Sequence, residues 1–227
     1  LIGTWKESGY NDFADGNFEN GGQNIYVSRA GFLQRIFRFD FNGDGYTDLL
    51  FVNSQDMNEC PPIYVCKDIS GSLKIAELPT QGAYAGAVGD LNNDGYDDLV
   101  IANQHNGIHS DITAYVYFGS SEGLSERYKM ELPAPNARAV AIGDFNGDGR
   151  PDIAFSCEGK LRIFYQTETG FIAGKYMDFN MEITHMTAGD LDGDGCSELY
   201  VRVRKDRPCV FWGGRDGINP QRYTIVG

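Results

Sequence analysis

The chain has 227 residues, a formal net charge of −13 and a hydrophobic fraction of 41%. That length suits one or two domains with an ample core, and that composition excludes a disordered chain. The acidity excludes binding to a phosphate backbone by charge, so no nucleic-acid partner is expected; no apolar run approaches the roughly 20 residues that cross a bilayer, so no membrane insertion is expected.

Residues 1–33 stand apart from the rest of the chain. Residues 1–22 are rich in Gly, Asn and acid and read as loops, and residues 23–28 (QNIYVS) read as a short strand, a cap or the remnant of a preceding unit. An opening Leu1 with no leader pattern points to a processed or partial chain.

From residue 34 one plan recurs four times, over 34–79, 80–133, 134–179 and 180–227. In the first unit, strands are expected at 49–52 (LLFV), 63–66 (IYVC) and 73–78 (LKIAEL). The second unit places them at 83–89 (AYAGAVG), 99–102 (LVIA), 114–118 (AYVYF) and 127–132 (RYKMEL). The third has 137–143, 153–155, 161–165 and 171–178, and the fourth 184–189, 199–203, 209–212 and 222–226. Short runs that are apolar throughout suit strands buried on both faces. The last strand of several units alternates polar and apolar residues, as a half-exposed outer strand should. The first strands are rich in Ala and Gly, which allows close packing around a crowded centre. Nothing has helical periodicity. Four antiparallel strands per unit, repeated every 46–54 residues, describe an all-β fold, the four-stranded blades of a β-propeller.

Between the first and second strands of each unit lies an acidic loop: DFNGDGYTD from 40, DLNNDGYDD from 90, DFNGDGRPD from 144 and DLDGDGCSE from 190. Calcium is a hard cation that takes roughly 6–8 oxygen ligands. The ligand candidates are Asp40, Asn42, Asp44, Tyr46 and Asp48; Asp90, Asn92, Asp94, Tyr96 and Asp98; Asp144, Asn146, Asp148, Arg150 and Asp152; and Asp190, Asp192, Asp194, Cys196 and Glu198. The seventh loop residue varies freely, which fits a ligand that offers only its backbone carbonyl. The sixth is always Gly, as a sharp turn requires. An EF-hand needs a bidentate Glu at position 12. Here that position holds Phe51, Ile101, Phe155 or Val201, which excludes it. Asx-rich turns without metal are the plain alternative; four in-register copies favour up to four structural Ca²⁺ ions. The loops hold thirteen carboxylates at ligand positions, and four such ions would bring the net charge from −13 to −5.

Other candidates are sparser. Cys60 and Cys66 are close enough in sequence to staple a loop, while Cys157, Cys196 and Cys209 have no obvious partner. Loops joining strands two and three must lie on the face opposite the acidic loops. Two of them, 53–61 and 103–111, are long and polar, and Asn53, Asn103, His105 and His109 are candidate ligand-binding residues there. The alternative is an ordinary solvated loop with Asn capping the strand end. His185 follows Thr184 in an innermost strand and reads as a core-packed residue.

Phe118-Gly119 and Trp212-Gly213, with Ala87-Val88-Gly89-Asp90 and Ala141-Ile142-Gly143-Asp144, resemble the FG-GAP/VCBS repeat family over about residues 34–227. These are the calcium-bearing blades of integrin α-subunit heads and of many secreted bacterial propellers. The resemblance implies structural calcium at each loop and a ring that usually closes with seven blades. At about 50 residues each, seven blades need roughly 350 residues, so the four visible blades are expected to be an arc of a larger ring whose remaining blades are cut off or supplied elsewhere as a partner; a compact ring of four is the alternative. Sites of ~10 µM affinity suit ~1 mM extracellular calcium and fail at cytosolic levels, so a secreted or cell-surface location is expected, with the chain acting as a noncatalytic binding or adhesion module for glycan or extracellular protein. A propeller domain of a secreted polysaccharide-degrading enzyme and a structural spacer are the alternatives. No catalytic constellation stands out, and no enzymatic activity is expected.

Overall fold

A computed structural model of the protein describes residues 24–27, 33–39, 48–55, 60, 62–67, 74–204 and 206–226. Seventeen strands are described: β1 (Asn24–Val27), β2 (Leu33–Phe39), β3 (Asp48–Gln55), β4 (Ile63–Lys67), β5 (Lys74–Leu78), β6 (Ala83–Gly89), β7 (Asp98–Asn103), β8 (Ala114–Tyr117), β9 (Lys129–Leu132), β10 (Ala139–Gly143), β11 (Asp152–Cys157), β12 (Lys160–Phe164), β13 (Met177–Asn180), β14 (Ile183–Gly189), β15 (Glu198–Val203), β16 (Cys209–Phe211) and β17 (Tyr223–Ile225). They form four antiparallel meanders: β2–β5, with β1 added beside β2, then β6–β9, β10–β13 and β14–β17. A single 3-10 turn, Glu126–Tyr128, is the only helical element among the described residues. The molecule is all-β with the blade arrangement of a propeller.

The innermost strands pack on one another in chain order, β6 against β2 and β3, β10 against β6, and β14 against β10. Each seam between sheets holds its own apolar cluster. Strand β7 shows how the sequence builds two seams from one strand. Leu99 and Ile101 join the cluster shared with Leu50, Val52 and Val65 of the first sheet. Val100 and Ala102 join the cluster shared with Val140, Ile153 and Phe155 of the third. A period of two sends alternate side chains to opposite faces. Because both faces are covered, the middle of the strand, Leu99 to Ala102, is apolar throughout, and all six residues of β7 are buried. Strand β11 repeats this, sending Ala154 to the seam that holds Leu199 and Val201. The outermost strands have one neighbour fewer: β13 and β17 are almost wholly exposed.

The close approach expected of the small-residue inner strands is present. A Cβ on Gly143 would stand 2.8 Å from Ser197 Cβ and 3.1 Å from Ala188 Cβ of the next sheet.

Three expectations need correction. The strand expected over 171–178 begins only at Met177. Upstream, Thr167 and Gly170 bridge to each other, Thr167 Oγ1 donates to Gly170 O (2.7 Å), and Phe171 turns into the second seam. A local side-chain bond to the backbone competes here with the sheet ladder. Cys60 and Cys66 are not joined; all five cysteines are thiols, Cys66 buried and Cys60 exposed, 3.8 Å from Asn106 O. Burial pushes the Cys66 and Cys157 thiols up to about 11, the opposite of what a reactive cysteine needs. His185 is exposed rather than core-packed. A bulge falls between Ile183 and His185 in the β14–β15 register. One extra residue reverses the in–out parity of everything after it.

Candidate functional site

Three acidic loops are described whole, and one bonding scheme recurs in them. The first-position carboxylate accepts the N–H of the sixth residue: Gly95 to Asp90 (2.8 Å), Gly149 to Asp144 (2.7 Å) and Gly195 to Asp190 (3.0 Å). The third-position oxygen accepts the fifth residue's N–H: Asp94 to Asn92 and Asp148 to Asn146 (3.1 Å each), Asp194 to Asp192 (3.2 Å). The fifth-position carboxylate accepts the seventh residue's N–H, from Tyr96, Arg150 or Cys196 (2.8–3.0 Å). The chain therefore curls around its own side-chain oxygens. That curl needs left-handed backbone at two positions. The sixth is Gly, as anticipated; the fourth is Asn93 (φ 57°), Gly147 (φ 68°) or Gly193 (φ 77°). The recurrence of Gly or Asn at the fourth position was a readable signal, since those residues tolerate positive φ.

The ninth position differs in kind. Asp48, Asp98, Asp152 and Glu198 are all buried, with at most 1% exposure. Asp98 accepts N–H bonds from Leu91 (2.8 Å) and Gly119 (2.7 Å). Asp152 accepts them from Phe145 (3.0 Å) and Gln166 (2.9 Å). Glu198 accepts Leu191 N–H at 2.6 Å. Burial pushes the Asp98 carboxyl up to about 6 and Asp152 up to about 7; neighbouring loop carboxylates add to the rise and the backbone bonds oppose it. A nearby divalent cation acts in the other direction, favouring the ionised form.

The residues fit a hard cation. The donors at positions 1, 3, 5 and 9 are all oxygens. In the fourth loop Asp190, Asp192 and Asp194 each bring a carboxylate oxygen within 4.8 Å of the other two. Such crowding of like charge is unfavourable without a counter-charge. In the third loop Arg150 Nη2 lies 2.6 Å from Asp148 Oδ2 and supplies part of it. Asp40, Asn42, Asp44 and Tyr46 of the first loop lie outside the described residues.

The loops also hold the sheets to one another, which sequence reasoning missed. Ser197 N donates to Asp144 O (2.6 Å), and Gly214 N to Phe145 O (3.1 Å), so the fourth sheet hangs on the third loop. Gln166 Nε2 donates to Leu91 O (2.8 Å), tying the third sheet to the second loop. Cys196, beyond its expected carbonyl, has a buried side chain that leaves no room for one on Gly147; a Cβ there would meet its sulfur at 2.7 Å. The Phe-Gly element has a matching cause. A Cβ on Gly119 would meet Asp97 O at 2.4 Å, and one on Gly213 would meet Ser197 O at 2.5 Å.

On the opposite face the candidates separate. Asn53 lies in β3 opposite Gln34. Asn103 is fully buried and spends its amide on the loop, donating to Thr113 O (2.9 Å) and accepting from Gln81 N (3.4 Å). It is buried and caps the strand end. His105 Nδ1 accepts Gly107 N–H (2.9 Å), while exposed His109 places Nδ1 3.7 Å from Asp111. No helix among the described residues is long and apolar enough to cross a membrane.

Comparison with known proteins agrees with the repeat. The FG-GAP-like repeat matches residues 90–155 and again 144–201. The chain is similar to mouse integrin alpha-IIb, 27% identical over 149 residues, covering 55% of this chain and 14% of that protein. It is similar to fruit-fly (Drosophila melanogaster) integrin alpha-PS5, 29% identical over 149 residues, 55% of this chain and 15% of that one. It is also similar to rat phosphatidylinositol-glycan-specific phospholipase D, 25% identical over 201 residues, 74% of this chain and 22% of that one. The chain thus spans less than a quarter of these relatives' lengths. The matched repeats, the acidic loops and the four-stranded sheets coincide, and the chain belongs to the FG-GAP repeat family.

Proposed function

We propose that the chain is a calcium-stabilised propeller segment of a secreted or cell-surface protein, and that it acts as a noncatalytic binding or adhesion module for glycan or extracellular protein. The observation that carries this is the placement of the acidic loops. The three described loops sit at the same end of the second, third and fourth units with oxygen-only donors, and the second and third loops accept hydrogen bonds from the next sheet. Ions held there serve the frame and leave the other end for recognition. Weak sites of this kind fill at millimolar extracellular calcium and stay empty at cytosolic levels, which supports the extracellular location. Similarity to integrin α subunits supports an adhesive role.

A second reading is a propeller carried within a larger secreted enzyme, and the 201-residue similarity to the rat phospholipase favours it. Solid-phase binding to a panel of purified extracellular-matrix proteins and to a glycan array, beside a polysaccharide-cleavage assay, separates the two. Saturable binding in calcium, lost in chelator and without turnover, is expected. Turnover by the chain itself would favour the enzyme, and silence in every assay would contradict a binding module.

A further inference from the structure

The face opposite the acidic loops carries a cleft of about 350 Å³ where the second, third and fourth sheets meet. Its lining includes Tyr84 of β6, Arg138 ahead of β10, Glu158 from the β11–β12 turn, and Glu182, His185 and Arg204 around β14 and β15. We propose that this cleft is a binding site for an uncharged sugar. The proposal rests on the reading of the chain as a binding module and names the place and ligand class.

The charge pattern selects the ligand. In a chain of net charge −13, this cleft holds two guanidiniums against two carboxylates. Arg204 Nη1 donates to Glu182 Oε1 at 3.0 Å, so that pair is already compensated. With its amide oxygen turned toward it, Gln104 accepts from Arg138 Nε (3.3 Å) and Nη2 (3.2 Å). A free anion would meet Glu158 and Glu182; a free cation would meet both arginines. A sugar hydroxyl both donates and accepts, so it suits planar donors set beside planar acceptors. The volume lies at the small end of ligand pockets, which run from roughly 300 to 1,000 Å³. That suits a terminal sugar better than a folded peptide segment.

The backbone points to the same place. The β6–β7 and β14–β15 registers both shift six residues before the acidic loop, at Tyr84 and Thr184. Bulges re-aim side chains, and the second one turns His185 out of the core. The β11–β12 hairpin closes on Glu158 (φ 49°) and Gly159 (φ 73°). Two-residue turns with positive φ at both positions favour Asn, Asp or Gly. A glutamate there is strained. Stability alone would not place it at 158, but its side chain lines the cleft.

The test is calorimetric titration, in calcium, of the intact chain with methyl glycosides of glucose, galactose, mannose, fucose and N-acetylglucosamine. Galacturonate and glucosamine serve as charged counterparts. At least one neutral glycoside is expected to bind saturably, and the charged counterparts about 10-fold more weakly or worse. Arg138→Ala and Glu158→Asn should each weaken binding by about 10-fold. Glu158→Asn should at the same time raise the melting temperature by about 2 °C, because Asn accepts positive φ. A loss of binding in a more stable protein cannot be misfolding. Failure of every neutral glycoside to bind, equal binding of the charged sugars, or variants within about 2-fold of the parent would overturn the site. If matrix proteins bind while no neutral glycoside does, the sugar site fails and the binding module stands. If nothing binds, both fail.

Discussion

Excess chelator is expected to lower the melting temperature of the intact chain by about 10 °C or more. The size follows from loop chemistry. A site with a dissociation constant of ~10 µM at ~1 mM calcium contributes about 2.7 kcal/mol. In a chain of this length each kcal/mol moves the midpoint by about 2–4 °C. The loops act on more than one hairpin. The backbone carbonyls of Asp144 and Phe145 hold the fourth sheet, and that of Leu91 holds Gln166 of the third. An ion that fixes the curl of a loop fixes those carbonyls too. Added calcium should restore the midpoint. Magnesium, which demands near-ideal octahedral geometry, should restore less at equal concentration. Differential scanning calorimetry reads this directly, and a midpoint indifferent to both chelator and calcium would contradict it.

The second large effect is Asp152→Ala, which should destabilise the fold by about 3–4 kcal/mol even without calcium. Asp152 is fully buried, and its two oxygens accept N–H bonds from Phe145 and Gln166. Alanine strands both donors, at about 1–3 kcal/mol each. Asparagine keeps one acceptor, so Asp152→Asn should lose about half as much. Urea unfolding in chelator separates this from metal binding. A residue that served only as a cation ligand would leave the chelated variants as stable as the chelated parent. Asp98→Ala should follow the same pattern, through Leu91 and Gly119.

Much of this fold is legible because its signals repeat. The run LVIA needs cover on both faces, and the seams on each side of β7 provide it; LLFV sends Leu50 and Val52 into the first of those seams. The curl of the acidic loops is readable from DxNxDG spacing, because alternating oxygens and an obligatory glycine leave few other conformations. What the sequence hides is relational. The Phe-Gly glycines look like turn residues, but they are needed because a neighbouring carbonyl stands 2.4–2.5 Å from where a Cβ would be. Gln166 occupies the equivalent place in the third unit, where its side chain reaches the previous loop. No periodicity announces a contact across 75 residues. His185 leaves the core for a local reason, a one-residue bulge that pattern counting cannot see. Asn103, a candidate ligand-binding residue by type and loop, has its amide bonded to the strand end, a contact that composition does not announce.

Each acidic loop is proposed to be a cation site that holds the frame. Native mass spectrometry of the intact chain, loaded with calcium and compared with Asp90→Ala, Asp144→Ala and Asp190→Ala, counts those ions. Four ions per chain are expected in the parent, one for each loop of the sequence. Each variant should carry one fewer. A parent that binds no calcium, or variants that keep the full complement, would contradict the claim.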